Sequence, residues 1–201
     1  MANLIVVCGA SGVGKSTFSR WLSKQLSCRL LSVDSVKELI YEFSGFNNKE
    51  EKTRLKNVSF KLFYLLLKEY RNLSDTVIIE YPFGDKHIER IKAVYSDVDD
   101  KIVTVRFECD IKTSYERAVQ RDKTDDTRSI THWALKYPLD EGYKALGGKI
   151  SYTVYKECIE SQGTLNFCVG SLVNVDANHL NNINYEDILK DIAKNLTKEG
   201  N

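Results

Sequence analysis

No stretch of this 201-residue chain restricts its fold more than LIVVCGASGVGKSTFSRWL, residues 4–22. Leu4 to Cys8 is a continuous apolar run, the pattern of a strand covered on both faces. It stops at Gly9, and GASGVGKS (Gly9 to Ser16) fits G-x-x-x-x-G-K-[ST] just before a helical pattern begins. Glycines let the backbone bend so that successive N–H groups point inward and make a nest for phosphate oxygens. The helix that follows aims its positive end at the same point. Lys15 can then reach the β- and γ-phosphates of a nucleotide, and the Ser16 hydroxyl can hold Mg²⁺. Close packing of loop on helix would also use glycines, but it would not require Lys-Ser in this register. We therefore expect a nucleotide-binding loop over residues 9–17, built from Gly9, Ala10, Ser11, Gly12, Val13, Gly14, Lys15, Ser16 and Thr17.

The rest of the chain alternates strand-like and helix-like runs, as an α/β layer fold with a parallel sheet requires. Further strands are expected at Leu30 to Val33, Val77 to Ile79, Ile102 to Phe107 and Leu172 to Val175, with Leu165 to Val169 ambiguous. Val36, Leu39, Ile40 and Phe43 give the stripe of a surface helix. Leu55, Val58, Leu62, Leu65 and Leu66 mark one face of a longer helix from Lys49 to Arg71. Ile88, Ile91 and Val94 mark another. Near the C-terminus Tyr185, Ile188, Leu189, Ile192 and Leu196 form a stripe, with Asn184 as N-cap and Asp187 three residues on. From Lys123 to Gly148 the chain is polar, contains glycine and keeps no steady period. Loops this long are uncommon unless functional, so we expect a mobile excursion there. With no repeat and no linker, residues 1–201 read as a single domain, with substrate-side helices over about 36–72 and a lid over about 117–150.

Composition limits the partners. Lys and Arg number 29 against 28 Asp and Glu, so no global field recruits nucleic acid or anionic membrane. The start has no basic segment followed by a long apolar one, so no signal peptide is expected. Nothing approaches the roughly 18 uninterrupted apolar residues of a membrane span. Five cysteines, scattered and never spaced C-x-x-C, point away from disulfides and zinc and toward a reducing cytoplasm. Cys8 and Cys168 read as small buried hydrophobes. His87 and His179 have no metal-ligand partners in spacing, and surface positions are expected for them; His132 likewise stands alone.

The class of nucleotide chemistry follows from what is absent and what remains. A GTP-dependent switch would bring Asp-x-x-Gly and Asn/Thr-Lys-x-Asp segments, and neither occurs; NKEE at Asn48 to Glu51 is the nearest. A motor-type ATPase would end an apolar strand in Asp-Glu, whereas TVIIEYPFG ends its strand in a lone Glu80. Both absences point to a small-molecule kinase. LLSVDSVKELI puts Asp34 directly after the second strand, at the sheet edge where ligands of open α/β sheets bind. A carboxylate there can take the acceptor hydroxyl's proton and orient it; alternatively Asp34 caps the helix that follows. Glu80 ends the third strand at the same edge, where it could hold Mg²⁺ through water, bind a substrate hydroxyl or simply be solvated. DIKTSYERAVQRDKTDDTR places Arg117 and Arg121 at i, i+4 on one helix face. Guanidinium groups there can spread over a triphosphate as charge shifts in the transition state, with Lys123 and Arg128 as further members; an ordinary charged face would also carry arginines.

Together GASGVGKST, LLSVDSVKELI, VIIEYPF, ERAVQRD and LVNVDANHLNNINYEDILKDI resemble, in order, the segments of a known group. These are the P-loop small-molecule kinases of the zeta-toxin, chloramphenicol phosphotransferase and polynucleotide 5′-kinase type, AAA_33-like, with similarity to 2-phosphoglycerate kinases. Lys37 stands where Arg is commoner in that group. The resemblance implies a P-loop NTPase fold: a five-stranded parallel sheet with helices on both faces, ATP with Mg²⁺ as donor, and Asp34 as base. Arg54, Lys56 and Lys61 would wall the acceptor site, most of them as a solvated face. His132, Trp133, Tyr137 and Tyr143, in or beside the lid, would stack on a substrate ring or anchor the lid. The expected partners are a nucleotide and a small-molecule acceptor, with a nucleic-acid end less favoured. A nucleoside monophosphate kinase and a non-transferring regulatory NTPase remain as alternatives.

Overall fold

The computed structural model describes residues 2–73, 76–124, 130–132, 134–139 and 151–197. Its centre is β1 (Asn3–Gly9), which runs parallel to β3 (Thr76–Glu80) on one side and β4 (Lys101–Glu108) on the other. β2 (Arg29–Ser32) flanks β3 and β5 (Ser171–Asp176) flanks β4, giving a five-stranded all-parallel sheet in the order β2-β3-β1-β4-β5. The helices are α1 (Lys15–Gln25), α2 (Val33–Ser44), α3 (Lys49–Leu73), α4 (Ile88–Val94), α5 (Ile111–Thr124), α6 (Tyr152–Ser161) and α7 (Tyr185–Thr197).

The unbroken apolar run of β1 is explained by its two covered faces. Ile5 and Val7 pack with Phe18 and Leu22 of α1, Tyr155 and Ile159 of α6, and Ile188 and Ile192 of α7. Leu4, Val6 and Cys8 point the other way, into Phe60, Phe63 and Leu67 of α3 and Ile91 of α4. Asn184 caps α7 as expected: its Oδ1 accepts from the Glu186 N–H, and its Nδ2 donates to Asp187. Cys8 is fully buried, and burial pushes its thiol up to about 12, so it behaves as a small hydrophobe.

Several expectations change. Val33 begins α2 rather than ending β2. The segment 165–169 forms no strand; its Val169 backbone is tied to the buried Thr104 hydroxyl, which donates to the carbonyl and accepts from the N–H. On α3 the buried face is Ser59, Phe60, Phe63 and Leu67, while Val58, Leu62 and Leu65 are exposed. Apolar residues surround this helix, so periodicity offered two faces and the bulkier aromatic one took the sheet. On α2, Leu39 and Phe43 likewise remain exposed and Tyr41 is buried. The sequence pattern marks no helix at α6, which Ser151 caps by accepting from the Val154 N–H.

Part of the irregular region packs as a strap. Phe46 and Tyr137 exchange both backbone hydrogen bonds, and Tyr41, Phe46 and Ala134 form a small core with Leu55, Tyr137 and Leu139. Tyr137 thus anchors this segment through its contact with Phe46. The Lys52 ammonium donates to the carbonyls of His132 and Ala134 at 3.2 and 2.8 Å. Arg128, Trp133 and Tyr143 lie outside the described residues.

His87 is not a surface residue. It is buried against Phe60, 4.8 Å between ring centroids, and its Nδ1 is hydrogen-bonded to the Tyr64 hydroxyl at 2.8 Å. Burial, assisted by the charges of Lys86, Arg90 and Lys56, lowers its pKa from 6.5 to about 4. Between those values the unfolded chain binds a proton that the folded chain does not, so stability held above pH 6.5 is lost as pH falls toward 4. The loss reaches about 3 kcal/mol at 1.36 kcal/mol per unit. Thermal unfolding at pH 7 and pH 4.5 checks this: His87→Phe should narrow the gap between the two Tm values, and an unchanged gap would contradict it.

Candidate active site

The carboxyl ends of β1, β2 and β3 meet at one cavity. Val7 of β1 is in register with Glu80, and Ser32 of β2 is in register with Glu80 from the other side. The sheet therefore sets three chain segments in a row before any side chain is considered. The cavity measures about 850 Å³, and Gly12, Gly14, Lys15, Ser16, Ser32, Asp34, Glu80, Arg117 and Arg121 all contribute to its wall. That volume is at the upper end for small-molecule sites, large enough for a nucleotide and a second molecule.

The loop over residues 9–17 joins β1 to α1 with backbone only glycine adopts readily. Gly14 is the N-cap of α1, and its φ of +89° lies in the left-handed region. Gly12 has a φ of +80°, and a Cβ there would lie 2.8 Å from the Ser114 carbonyl oxygen and 2.9 Å from the Ala118 nitrogen. The loop is thus pressed onto the backbone of α5. Tyr155 of α6 adds a hydrogen bond from its hydroxyl to the Ser11 carbonyl at 3.2 Å. Ala10 and Val13 turn their side chains into the core, which leaves their backbone to any ligand. Ser16 and Thr17 are exposed to the cavity.

Lys15 is only 6% exposed, and its ammonium donates to the Ala10 carbonyl at 2.5 Å. Burial lowers its pKa, opposed by the negative charges of Glu80 and Asp34. Glu80, 5% exposed, is not a solvated strand end: it accepts a hydrogen bond from the Ser32 hydroxyl at 3.2 Å and is also bonded to Ser16. Burial raises its pKa, with Lys15 working against the rise and Asp34 adding to it. Asp34 sits in the first turn of α2, where Ser32 is the N-cap position, and its Oδ1 accepts from Lys37 Nζ at 2.9 Å. Burial pushes the Asp34 carboxyl up, but Lys37, His132 and Lys15 outweigh it, and the carboxyl is held below its ordinary range. Lys37 in turn lies 5.2 Å above the Tyr81 ring.

The two arginines of α5 reach the same cavity in different states. Arg117 donates to the carbonyls of Ala177 and Asn178, both at 2.5 Å, and so braces the turn after β5. Arg121 pairs with Asp122 at 3.2 Å, and its charge acts on Lys15. Lys123 is exposed at the end of α5. Ser16, Glu80 and Asp34 offer only oxygen atoms, a donor set that suits a hard divalent cation such as Mg²⁺ sharing its shell with phosphates and water. Burial of the Glu80 carboxylate beside a hydroxyl fits the same ion. Among the described residues, no group of three or more His, Cys, Asp or Glu could hold a metal by itself.

Sequence reasoning missed Ser32, Glu38 and Leu180. Glu38 follows Asp34 by one helical turn, a spacing that could have found it; it pairs with His132, which was expected to stand alone. Leu180 lies beside Gly14, and nothing in its flanking sequence marks it.

Residues 4–135, well over half of the chain, match the AAA_33 family, described as an AAA domain. The chain belongs to that family. Among curated proteins, no sequence relative matches significantly. Solved structures carry the same fold through nearly the whole chain. A provisionally assigned kinase from Chloroflexus aurantiacus J-10-fl superposes with a TM-score of 0.72 at 22% identity, covering 97% of this chain and 96% of that one. A gluconokinase from Sinorhizobium meliloti 1021 gives 0.54 at 13% identity, covering 96% and 91%. A sugar kinase from Janibacter sp. HTCC2649 gives 0.53 at 12% identity, covering 99% and 100%. The fold is that of the P-loop NTPases, as the motif order implied. Among the described residues of this AAA_33 member, no helix is long and apolar enough to cross a membrane.

Gly12→Ala tests the geometry of the loop directly. A side chain at positive φ, driven into the α5 backbone, should cost about 2 kcal/mol, read as a Tm lowered by roughly 4–8 °C. Nucleotide affinity should fall at least about tenfold in a titration with fluorescent ATP, since 1.4 kcal/mol is one decade. An unaffected variant would mean the loop is not built as described.

Proposed function

We propose that this chain is an Mg²⁺-dependent ATP phosphotransferase that moves the γ-phosphoryl group to a hydroxyl of a small molecule or nucleotide. The observation that carries the reading is the convergence of Lys15, Ser16, Asp34 and Glu80 on one cavity with room for two reactants. The solved structures of similar fold described as a gluconokinase and a sugar kinase support it.

In this reading the loop amides and Lys15 hold the β- and γ-phosphates. Lys15 leaves the Ala10 carbonyl to do so, exchanging a neutral acceptor for charged ones. Ser16, with Glu80 through water, would hold Mg²⁺, which neutralises charge on the phosphate oxygens. The acceptor oxygen forms a bond to the γ-phosphorus as the bond to the β,γ-bridging oxygen breaks, and ADP leaves. The hydroxyl proton goes to Asp34. A carboxylate held below its ordinary range is a weak base, which suits a loose transition state where the proton leaves late and the hydroxyl mainly needs aiming. Lys37 fixes the direction of that aim. Arg121 and Arg117 lie where charge migrates toward the leaving phosphates.

ADP release measured against a panel of nucleosides, nucleotides, sugars, hydroxy acids, aminoglycosides and short oligonucleotides tests the reading. One acceptor class should raise turnover well above the basal rate. Lys15→Ala and Asp34→Asn should each lower that turnover by about a hundredfold or more, within the range a positioned acid–base group supplies, and EDTA should abolish it. A mild Asp34→Asn effect with a nucleotide acceptor would point to the monophosphate kinase. Tight ATP binding with no acceptor stimulation would leave the regulatory NTPase.

A further inference from the structure

α3 presents Lys52, Lys56 and Phe60 one above the other, at i, i+4 and i+8. Phe60 sets where this stripe points, because its ring packs edge-on against Tyr81, 5.4 Å between centroids. Tyr81 directly follows Glu80, and the Lys37 ammonium that grips Asp34 rests over the same ring. The face of α3 carrying Lys56 is therefore turned toward Tyr81 and the Lys37–Asp34 pair, beside the cavity wall rather than on it.

The lysines there are not equivalent. Lys37 is neutralised by Asp34, and Lys52 is spent on the His132 and Ala134 carbonyls. Lys56 is half-buried yet makes no hydrogen bond or ion pair among the described residues. Arg54 and Lys61 on the same helix are exposed. Burial disfavours the Lys56 charge, Lys37 and Lys86 repel it, and Asp34 and the Cys158 thiol offset only part of this, so its pKa is lowered. A half-buried cation among like charges lacks a counter-ion, and a bound anion would supply one.

We propose that the acceptor carries a negatively charged group, a carboxylate or a phosphate monoester, which Lys56 binds while the reacting hydroxyl faces Asp34. This rests on the phosphotransferase reading of the cavity. The charges of Asp34 and Lys37 both act on Lys56, so the hydroxyl and the anion belong on one compact molecule.

The test uses the full chain with MgATP and matched acceptor sets: neutral sugars and polyols, the corresponding hydroxy or sugar acids, and the corresponding phosphomonoesters. The charged member of a set should show a kcat/KM at least about tenfold above its neutral counterpart, and the last two arms tell carboxylate from phosphate. Lys56→Gln should raise the charged acceptor's KM about tenfold while the KM for ATP stays within about twofold; Lys56→Arg should restore most of the loss. Each factor of ten corresponds to about 1.4 kcal/mol of lost interaction. Thermal unfolding with MgADP and the same compounds gives a second readout, a Tm rise with the charged ligand that Lys56→Gln removes. A preferred neutral acceptor, or equal losses for charged and neutral members, would overturn this inference and leave the phosphotransferase standing. No turnover with any acceptor, but a Lys56-dependent Tm rise, would keep the anion site and overturn the phosphotransferase. Neither signal would overturn both.

Discussion

The buried Lys15 ammonium is the charge around which the rest of the site is arranged. It is sealed beneath the loop with Glu80 and Asp34 for company, and burial works against the charged form of all three. Asp34 raises the pKa of Glu80, and Lys15 opposes that rise while also helping to hold the Asp34 charge. The ammonium donates to the Ala10 carbonyl, an oxygen its own loop provides. Such a constellation has little to recommend it as a stability device. In the phosphotransferase reading, a polyanion with a divalent cation would give each of these buried groups a further partner of opposite charge.

That constellation depends on sheet register more than on local sequence. β1, β3 and β2 are parallel neighbours, so their carboxyl ends arrive level, and the Val7–Glu80–Ser32 row follows. Gly12 then lets the loop lie flat on α5, which brings Arg117 and Arg121 to the opposite wall. A larger residue at that contact would lift the loop away from α5 and from the wall that carries the arginines.

What could be read from the sequence was whatever its chemistry fixed locally. The glycine-lysine-serine register, the strand-end carboxylates and the alternation of strands with helices depend on neighbours in the chain. The sites of Asp34 and Glu80 followed from where the strands end, and both stand at the cavity. Partners drawn from distant segments were not legible: Glu38 with His132, Lys52 with the carbonyls of residues 132 and 134, Tyr64 with His87. His87 was expected at the surface because no metal-ligand partner stood at a suitable spacing; its hydrogen-bond partner lies 23 residues away on α3. The faces of α2 and α3 were misjudged for a different reason. Each helix has more apolar residues than one stripe needs, and the choice between faces was made by packing against β3 and the strap.

The loop and the strap rest on different cores. The loop is continuous with the main core: Phe18 of α1, Tyr155 of α6 and Phe107 of β4 pack in one cluster with its Val13. The strap has a small core of its own, in which Tyr41, Phe46 and Ala134 pack with Leu55, Tyr137 and Leu139. Changes of side chain there disturb few contacts of the sheet, whereas changes under the loop propagate to β1 and β4. Lys52 couples the strap to α3 and lies one turn from Lys56 on the same face. The Lys52 contacts that hold the strap and the Lys56 charge thus sit on adjacent turns of one helix. In the phosphotransferase reading, a change of acceptor is therefore a matter for α2, α3 and the strap, while the phosphate-binding half stays as it is.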